Sequence, residues 1–586
     1  MVTGVGDDDS GRWCPHDGQN GGNTAAMERT LVRLLAILTV LAVFAVGCAI
    51  DRLELDVGDA LSDAATAASE NASGSTVPTA EPTVDSETDA GADERADDTG
   101  SDTGDRDADA DAGDTDSDEA AEGADNNSDS GADTDPVPST GLVGEPGIGD
   151  EYYPQLGNSG YDVSHYDISF EFDNETRAID GVTTLDITPT AELASFNLDL
   201  VGFDVASVRI DGADASFSRS GQELTIWSSD PLPADELMKV EVTYAGVPTS
   251  ITSPAFPTNG WNDLGRLVFV AGEPEGAAGW FPSNDHPLDK ATYRIAVSVS
   301  GRMKVASNGE LIASNTIGER ADGDLVEWVF ESDDPQASYL TTLAIGDLSY
   351  YEEDDVDGIT VRHVAETSVV DDAAEMNRNT SAMMETFIEL FGPYPFDEYG
   401  TLVIDESIGF ALETQTLSVF GNDFLDTDAD FVVAHELAHQ WFGNHVSLSE
   451  WQDLWLNEGF ASYAEHLWLS ARDANYDTDR VIRQTHRGLA ATGLLDQPPG
   501  IPPTDELFHI SVYIRGSFLL HALRLTIGDE QFFDLLRAWV IEFGGANATT
   551  EDFIAMAEEV SGEDLADFFD EWLYAPTLPE LPEAEE

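Results

Sequence analysis

Two histidines four residues apart, His435 and His439 in the stretch FVVAHELAHQWFGN at 431–444, constrain this chain more than any other feature. On a helix that spacing puts both imidazoles on one face about a turn apart, near enough to share a metal ion. Glu436 lies between them. The pattern H-E-x-x-H on a helix reads as two zinc ligands and the general base of a metal-assisted hydrolysis. Alone it is weak, since a helix carrying two surface histidines gives the same letters. Its surroundings matter more: Phe431, Val432, Val433, Ala434, Leu437, Ala438, Trp441 and Phe442 predict a buried helix, in which two imidazoles need a partner.

A catalytic zinc takes three protein ligands and keeps one position open, and two His with one Glu is a standard set. Gly443 and Asn444 supply a helix stop, and from Trp451 a second helix is predicted that folds back on the first. Glu458, nineteen positions after His439, lies on that second helix. H-E-L-A-H at 435–439 followed by W-L-N-E-G-F-A at 455–461 resembles the zinc aminopeptidases related to aminopeptidase N and the leukotriene epoxide hydrolase, peptidase family M1 of the gluzincin type. The resemblance implies one Zn2+ per chain on His435, His439 and Glu458. It also implies an α+β architecture, with an N-terminal antiparallel β domain followed by a mainly helical, thermolysin-like catalytic domain.

Charge limits the partners. The 586 residues carry 115 Asp and Glu against 25 Lys and Arg, a net charge of -90, which argues against nucleic acid or an anionic lipid surface as a charge-driven partner. Residues 151–586 alone hold 80 acidic and 19 basic residues, so the folded part is itself very acidic. Such a surface repels itself unless salt screens it, so a halotolerant source predicts stability that rises with salt; a merely solubilising surface predicts no rise.

Residues 1–48 read as a polar extension and a signal peptide, with Arg29 and Arg33 before an apolar run from Leu34 to Val46. The ending Ala45-Val46-Gly47-Cys48 resembles a bacterial lipobox, which implies lipidation at Cys48 and a position on the outer face of the membrane; a noncleaved anchor is the rival. Met27 is an alternative initiator, in which case Cys14 is never translated. Residues 49–150 form an acidic linker, with 21 acidic residues between Asp85 and Asp135. Low hydrophobicity and high charge keep it from folding, and as a neutral coil it would span about 50 to 60 Å.

Residues 151–355 change to short runs rich in Val, Ile, Thr, Tyr and Phe, such as 166–172, 240–244 and 293–299, broken by Gly, Pro and Asp: the cadence of an antiparallel β domain. From 356 to 580 the reading turns helical, with helices predicted over 371–391 and 550–573. No internal repeat is evident. The family's large C-terminal helical domain finds no room, which predicts a more open cleft.

Three further segments match the family. Glu273, opening EPEGAAGWFPSNDHP, matches an acidic residue that helps hold a substrate's free amine; Ala271 stands where many relatives have Gln. Ala411, Leu412 and Glu413 match the middle of Gly-Ala-Met-Glu-Asn, with Phe410 and Thr414 departing from it. Glu413 supplies the carboxylate that an α-ammonium group needs as counter-ion. Tyr513 in Y-I-R-G matches a tyrosine that polarises the scissile carbonyl, with Arg515 replacing Lys. Glu465 could support a ligand histidine from behind, while His445 and His466 read as surface or structural residues.

The sequence therefore predicts a zinc aminopeptidase that removes the N-terminal residue of peptides outside the cell, with a zinc-bound water activated by Glu436 and substrate held by Glu413, Glu273 and Ala411. Its expected partners are peptides with a free N-terminus and the membrane through a lipid anchor; a monomer is favoured. An endopeptidase, a small-epoxide hydrolase and a noncatalytic surface-binding lipoprotein are the alternatives.

Overall fold

The computed structural model describes residues 142–583 apart from 253–255, 257–258, 321–322 and 426–428. The expected signal peptide, the lipidation site Cys48 and the linker as far as residue 141 lie outside the described residues.

The first half is built on strand alternation. Along Tyr161–Phe172 the buried side chains are Tyr161 and Val163, then Tyr166, Ile168, Phe170 and Phe172. The alternation slips where the ladder to Ile179–Pro189 shifts register between Val163 and His165, because an extra residue moves every later side chain to the other face. These strands belong to an 11-stranded sheet that is mostly antiparallel. Two of its pairings are parallel: Leu142–Val143 beside Leu193–Asp199, and Tyr161–Phe172 beside Lys290–Ser300. A second, five-stranded sheet contains Val268–Ala271, whose end delivers the chain to Glu273.

The second half is helical around a six-stranded sheet. Strands Thr360–Glu366, Thr401–Ile404 and Ser418–Gly421 run parallel, and the short edge strand Ala411–Leu412 pairs antiparallel with the last. The helix expected over 371–391 is two helices, Val370–Asn377 and Thr380–Phe391. The break is held by Asn377, whose side-chain amide donates to Tyr351 Oη and Thr401 Oγ1 and whose carbonyl accepts from Thr380 Oγ1. Likewise the expected 550–573 helix is split into Thr550–Ser561 and Ala566–Tyr574, with Gly562 at φ 72° ending the first.

Around the histidine helix, Trp441, Trp451 and Trp455 are fully buried, and Trp441 meets Phe387, Phe391 and Tyr394 edge to face. Residues 144–160 leave the large sheet, touch the helical half and return to the same sheet. There the buried carboxylate of Asp150 accepts from the Trp451 N–H at 2.8 Å and faces His286 Nε2 at 3.1 Å, while the Tyr152 hydroxyl donates to the Pro502 carbonyl at 2.7 Å. Among the described residues no helix is long and apolar enough to cross a membrane.

Candidate active site

The apolar run predicted to be helical forms the helix Asp430–Ala438, with His439 as its C-cap. The regular helix thus stops before the expected Gly443 and Asn444. Its end tightens as the Gln440 and Trp441 N–H groups bond to the carbonyls of Leu437 and Ala438, three residues back. The chain returns through a short turn at Trp451–Asp453 into the helix Trp455–Arg472, which carries Glu458 and Glu465. The N-terminus of the first helix is clamped to the C-terminus of the second by an ion pair between Asp430 and Arg472.

This helix pair brings His435, His439 and Glu458 together, one potential ligand atom of each lying within 4.8 Å of the others. Glu458 Oε2 is 3.2 Å from His435 Nε2 and 3.6 Å from His439 Nε2. The far side of each ring is occupied: His435 Nδ1 lies 2.9 Å from Glu465 Oε1, and His439 Nδ1 donates to the Phe442 carbonyl at 3.1 Å. A carbonyl only accepts, so the His439 proton sits on Nδ1 and its Nε2 lone pair faces Glu458. Two imidazole nitrogens and a carboxylate oxygen, converging with the outer nitrogen of each ring bonded elsewhere, fit a divalent cation such as zinc.

The charge balance agrees. Glu273, Glu413, Glu436, Glu458 and Glu465 gather around two imidazoles, and the first four are almost fully buried. Burial pushes the Glu436 carboxyl up to about 8, against the pull of both imidazoles. Burial, with Glu413 and Glu458 nearby, drives Glu273 well above the usual carboxyl range. Burial alone would lower His435, yet hydrogen bonds to Glu458 and Glu465 hold it well above the usual imidazole value. Such a site is short of positive charge, which a metal ion and a substrate ammonium would supply.

Glu436 sits between these two needs, its carboxylate within 4.8 Å of ligand atoms of both His439 and Glu413. Glu273, Glu413 and Glu458 form a further cluster of the same reach. Oε1 of Glu273 and Oε1 of Glu413 are buried with no hydrogen-bond partner among the described residues. The Glu273 segment, which could also have been a surface turn, is buried and held by Asp285, whose Oδ2 accepts from the N–H groups of Gly276 and Ala278. Ala411 is half-buried on the edge strand leading into Glu413. Ala271, also buried, ends the strand before Glu273.

Tyr513 lies near the start of the helix Ile510–Ile527, its ring stacked on His435 with centroids 6.2 Å apart. Burial and the surrounding carboxylates, led by Glu458, raise its hydroxyl well above the usual value, so it remains a proton donor at neutral pH. Two glycines place it there. A Cβ on Gly516 would lie 2.9 Å from Gly459 Cα, and one on Gly459 would lie 3.0 Å from Gly516 Cα, so the Tyr513 helix crosses the Glu458 helix with main chains in contact. Arg515 does not face the cavity. It is fully buried and donates to the carbonyls of Leu495, Glu571, Trp572 and Ala575, tying this helix to the end of the domain. His466 is buried with Nδ1 2.6 Å from the Tyr476 hydroxyl, and His445 is half-buried away from the ligand set.

Sequence reasoning passed over Gln440 and took Asn444 only as part of a helix stop. Both are fully buried, and both donate to the Glu413 carbonyl, at 3.1 and 2.7 Å. The available signal was two amides directly following a metal-ligand pattern inside an apolar run, where a polar side chain needs partners.

This donor set on a helix pair, beside a β-sheet domain, defines a scaffold of the zinc-peptidase class. Comparison with known proteins refines it. The profile of the Peptidase M1 N-terminal domain matches residues 163–340, and that of the Peptidase family M1 domain matches residues 374–572. An M1 zinc metallopeptidase from Deinococcus radiodurans is similar in structure, with a TM-score of 0.69 and 30% identity, covering 75% of this chain and 100% of its own. Leucyl aminopeptidase of Saccharolobus solfataricus is 25% identical over 71% of this chain and 54% of its own length. Aminopeptidase M1 of Arabidopsis thaliana is 29% identical over 51% of this chain and 36% of its own. The chain belongs to peptidase family M1. It spans about half, or about a third, of the length of these two curated relatives.

Proposed function

We propose that the protein is a zinc-dependent aminopeptidase that removes single residues from the N-termini of peptides. The observation that carries this reading is the pair of unpartnered carboxylate oxygens, on Glu273 and Glu413, beside the Glu458 ligand. Donors are what they lack, and a peptide's α-ammonium supplies three.

His435, His439 and Glu458 would hold the zinc, which when bound supplies Lewis-acid polarisation of a water molecule and of the scissile carbonyl. Glu413 and Glu273 anchor the ammonium, so the first peptide bond falls beside Glu436. Glu436 takes the proton of the attacking water and passes it to the leaving amine. The Tyr513 hydroxyl donates to the oxygen on which negative charge develops. Glu465 and the Phe442 carbonyl keep the ligand imidazoles turned toward the metal. A structure of an M1 zinc metallopeptidase mutant from Deinococcus radiodurans is bound to a Tyr-Ser-Ala substrate, in keeping with a short peptide as substrate.

The place of action belongs to the same proposal. The basic and apolar run at 29–46 and the lipobox-like end at Cys48 support an enzyme tethered by lipid outside the cell, with the acidic linker as its tether. Metabolic labelling with a lipid precursor would show label in the native chain and none in Cys48→Ser.

The deciding experiment measures hydrolysis of one short peptide, free and N-acetylated, with zinc and with a chelator. Zinc-dependent cleavage of the free peptide alone is the expected result. Equal cleavage of both would make the protein an endopeptidase; cleavage of neither, over a panel of N-terminal residues, would point to a binding protein or a non-peptide substrate.

A further inference from the structure

The loop that presents Glu413 is tied at several points to the turn that ends the histidine helix. Residues 413–417 connect the strands Ala411–Leu412 and Ser418–Gly421. The Glu413 carbonyl accepts from Gln440 Nε2 at 3.1 Å and from Asn444 Nδ2 at 2.7 Å. Three residues on, the Thr416 N–H donates to Gln440 Oε1 at 2.8 Å. Thr416 has φ 62°, a left-handed conformation that a β-branched residue adopts only when its surroundings impose it. The planar amide of Gln440, donating to one end of the loop and accepting from the other, holds it here together with the Gly309 N–H, which donates to Thr416 Oγ1 at 3.0 Å.

Both amides are bound to the same metal-ligand residue. Gln440 follows His439 in the chain, and the Asn444 N–H donates to the His439 carbonyl at 3.0 Å. From the β domain, Lys290 Nζ donates to the carbonyls of Asn444 and His445 at 2.9 and 3.0 Å, fixing the turn from behind. Two routes, each one side chain long, therefore join His439 to the main chain of Glu413.

We propose that Gln440 and Asn444 are positioning residues that set the exopeptidase register, holding the amine anchor Glu413 at a fixed distance from the metal ligands. This rests on the reading of Glu413 as the amine anchor. With its carbonyl drawn to the helix turn, Glu413 aims its carboxylate into the cavity, within 4.8 Å of atoms of Glu436, His439, Glu273 and Glu458. An error of about 1 Å in such a spacing can cost up to roughly a hundredfold in kcat/KM.

The test uses the zinc-loaded protein, Gln440→Glu and Asn444→Asp, and three peptides: one with an α-amino N-terminal residue, its β-amino homologue with the amine one methylene farther out, and the N-acetylated form. Gln440→Glu keeps the acceptor for Thr416 and replaces the donor to Glu413 with a repelling oxygen; Asn444→Asp does the same on the second route. The native protein is expected to prefer the α-amino peptide over its β homologue by roughly tenfold or more. Each variant should raise KM for the α-amino peptide by roughly tenfold and bring the α to β ratio toward one, with kcat changed little and one zinc still bound per chain. Unchanged KM and unchanged ratio in zinc-loaded variants would overturn the proposal, as would a fall in kcat alone. Loss of zinc or of folding in both variants would also overturn it, by making the two amides architectural. If the native protein cleaves the acetylated peptide as fast as the free one, the Glu413 reading fails first; if it discriminates and the variants do too, only the register proposal fails.

Discussion

The two sides of the cavity are made differently. On the metal side, His435, His439 and Glu458 come from 24 consecutive residues on two adjacent helices, and each imidazole has its outer nitrogen already bonded. On the amine side, Glu273 and Glu413 come from segments 140 positions apart, and one carboxylate oxygen of each has no protein partner among the described residues. One side is finished by a metal ion. On the proposed reading the other is finished by the donors of a substrate, so it should govern which molecules are cut, while the metal side should govern whether anything is cut.

That division can be broken by experiment, beginning with the largest effect. Stripping zinc should abolish hydrolysis of every peptide and zinc should restore it; turnover in excess chelator would remove the metal side from the chemistry. Glu436→Gln should lower kcat by roughly 10² to 10⁴ while the chain keeps its zinc, measured by turnover and metal content on one sample. Tyr513→Phe should lower kcat by roughly 10² to 10³ with KM little changed, because its hydroxyl acts on charge that develops during reaction.

Effects on the amine side should be smaller and selective. Glu413→Gln should cut kcat/KM for free peptides by roughly ten- to a hundredfold and leave the residual rate on acetylated peptides unchanged; an equal loss on both would erase the distinction between the two sides. Last comes a change that touches neither set of ligands. Gly516→Ala forces a methyl group against the Gly459 main chain, and should lower unfolding stability by about 1 to 3 kcal/mol, read from denaturant midpoints.

The same contrast explains what could be read in the sequence. His435, Glu436, His439 and Glu458 follow helical periodicity and one short return, so their convergence was legible from spacing. The β alternation was legible too, except at the Val163 to His165 slip, which the ladder of a partner strand decides. Glu413 and Glu273 were reached by resemblance, since no local periodicity brings positions 140 apart into one cluster. Arg515 read only as a retained charge, although it serves four carbonyls outside the cavity. Gln440 was passed over and Asn444 read only as a helix stop, because their shared role depends on where the 413–417 loop lies, which tertiary packing alone fixes. The break at Arg378 and Asn379 likewise depends on Asn377 finding Tyr351 and Thr401 across the fold.

The irregular segment at 144–160 has a consequence for modularity. It originates beside the large sheet, yet Asp150 satisfies the Trp451 main chain and Tyr152 reaches Pro502, both in the catalytic half. The two halves are therefore not interchangeable cassettes. A catalytic half transplanted onto a foreign β domain would forfeit the acceptor for Trp451, at the start of the very turn that launches the Glu458 helix, so recombination between relatives should succeed only at junctions that carry this strap along with its receiving loop.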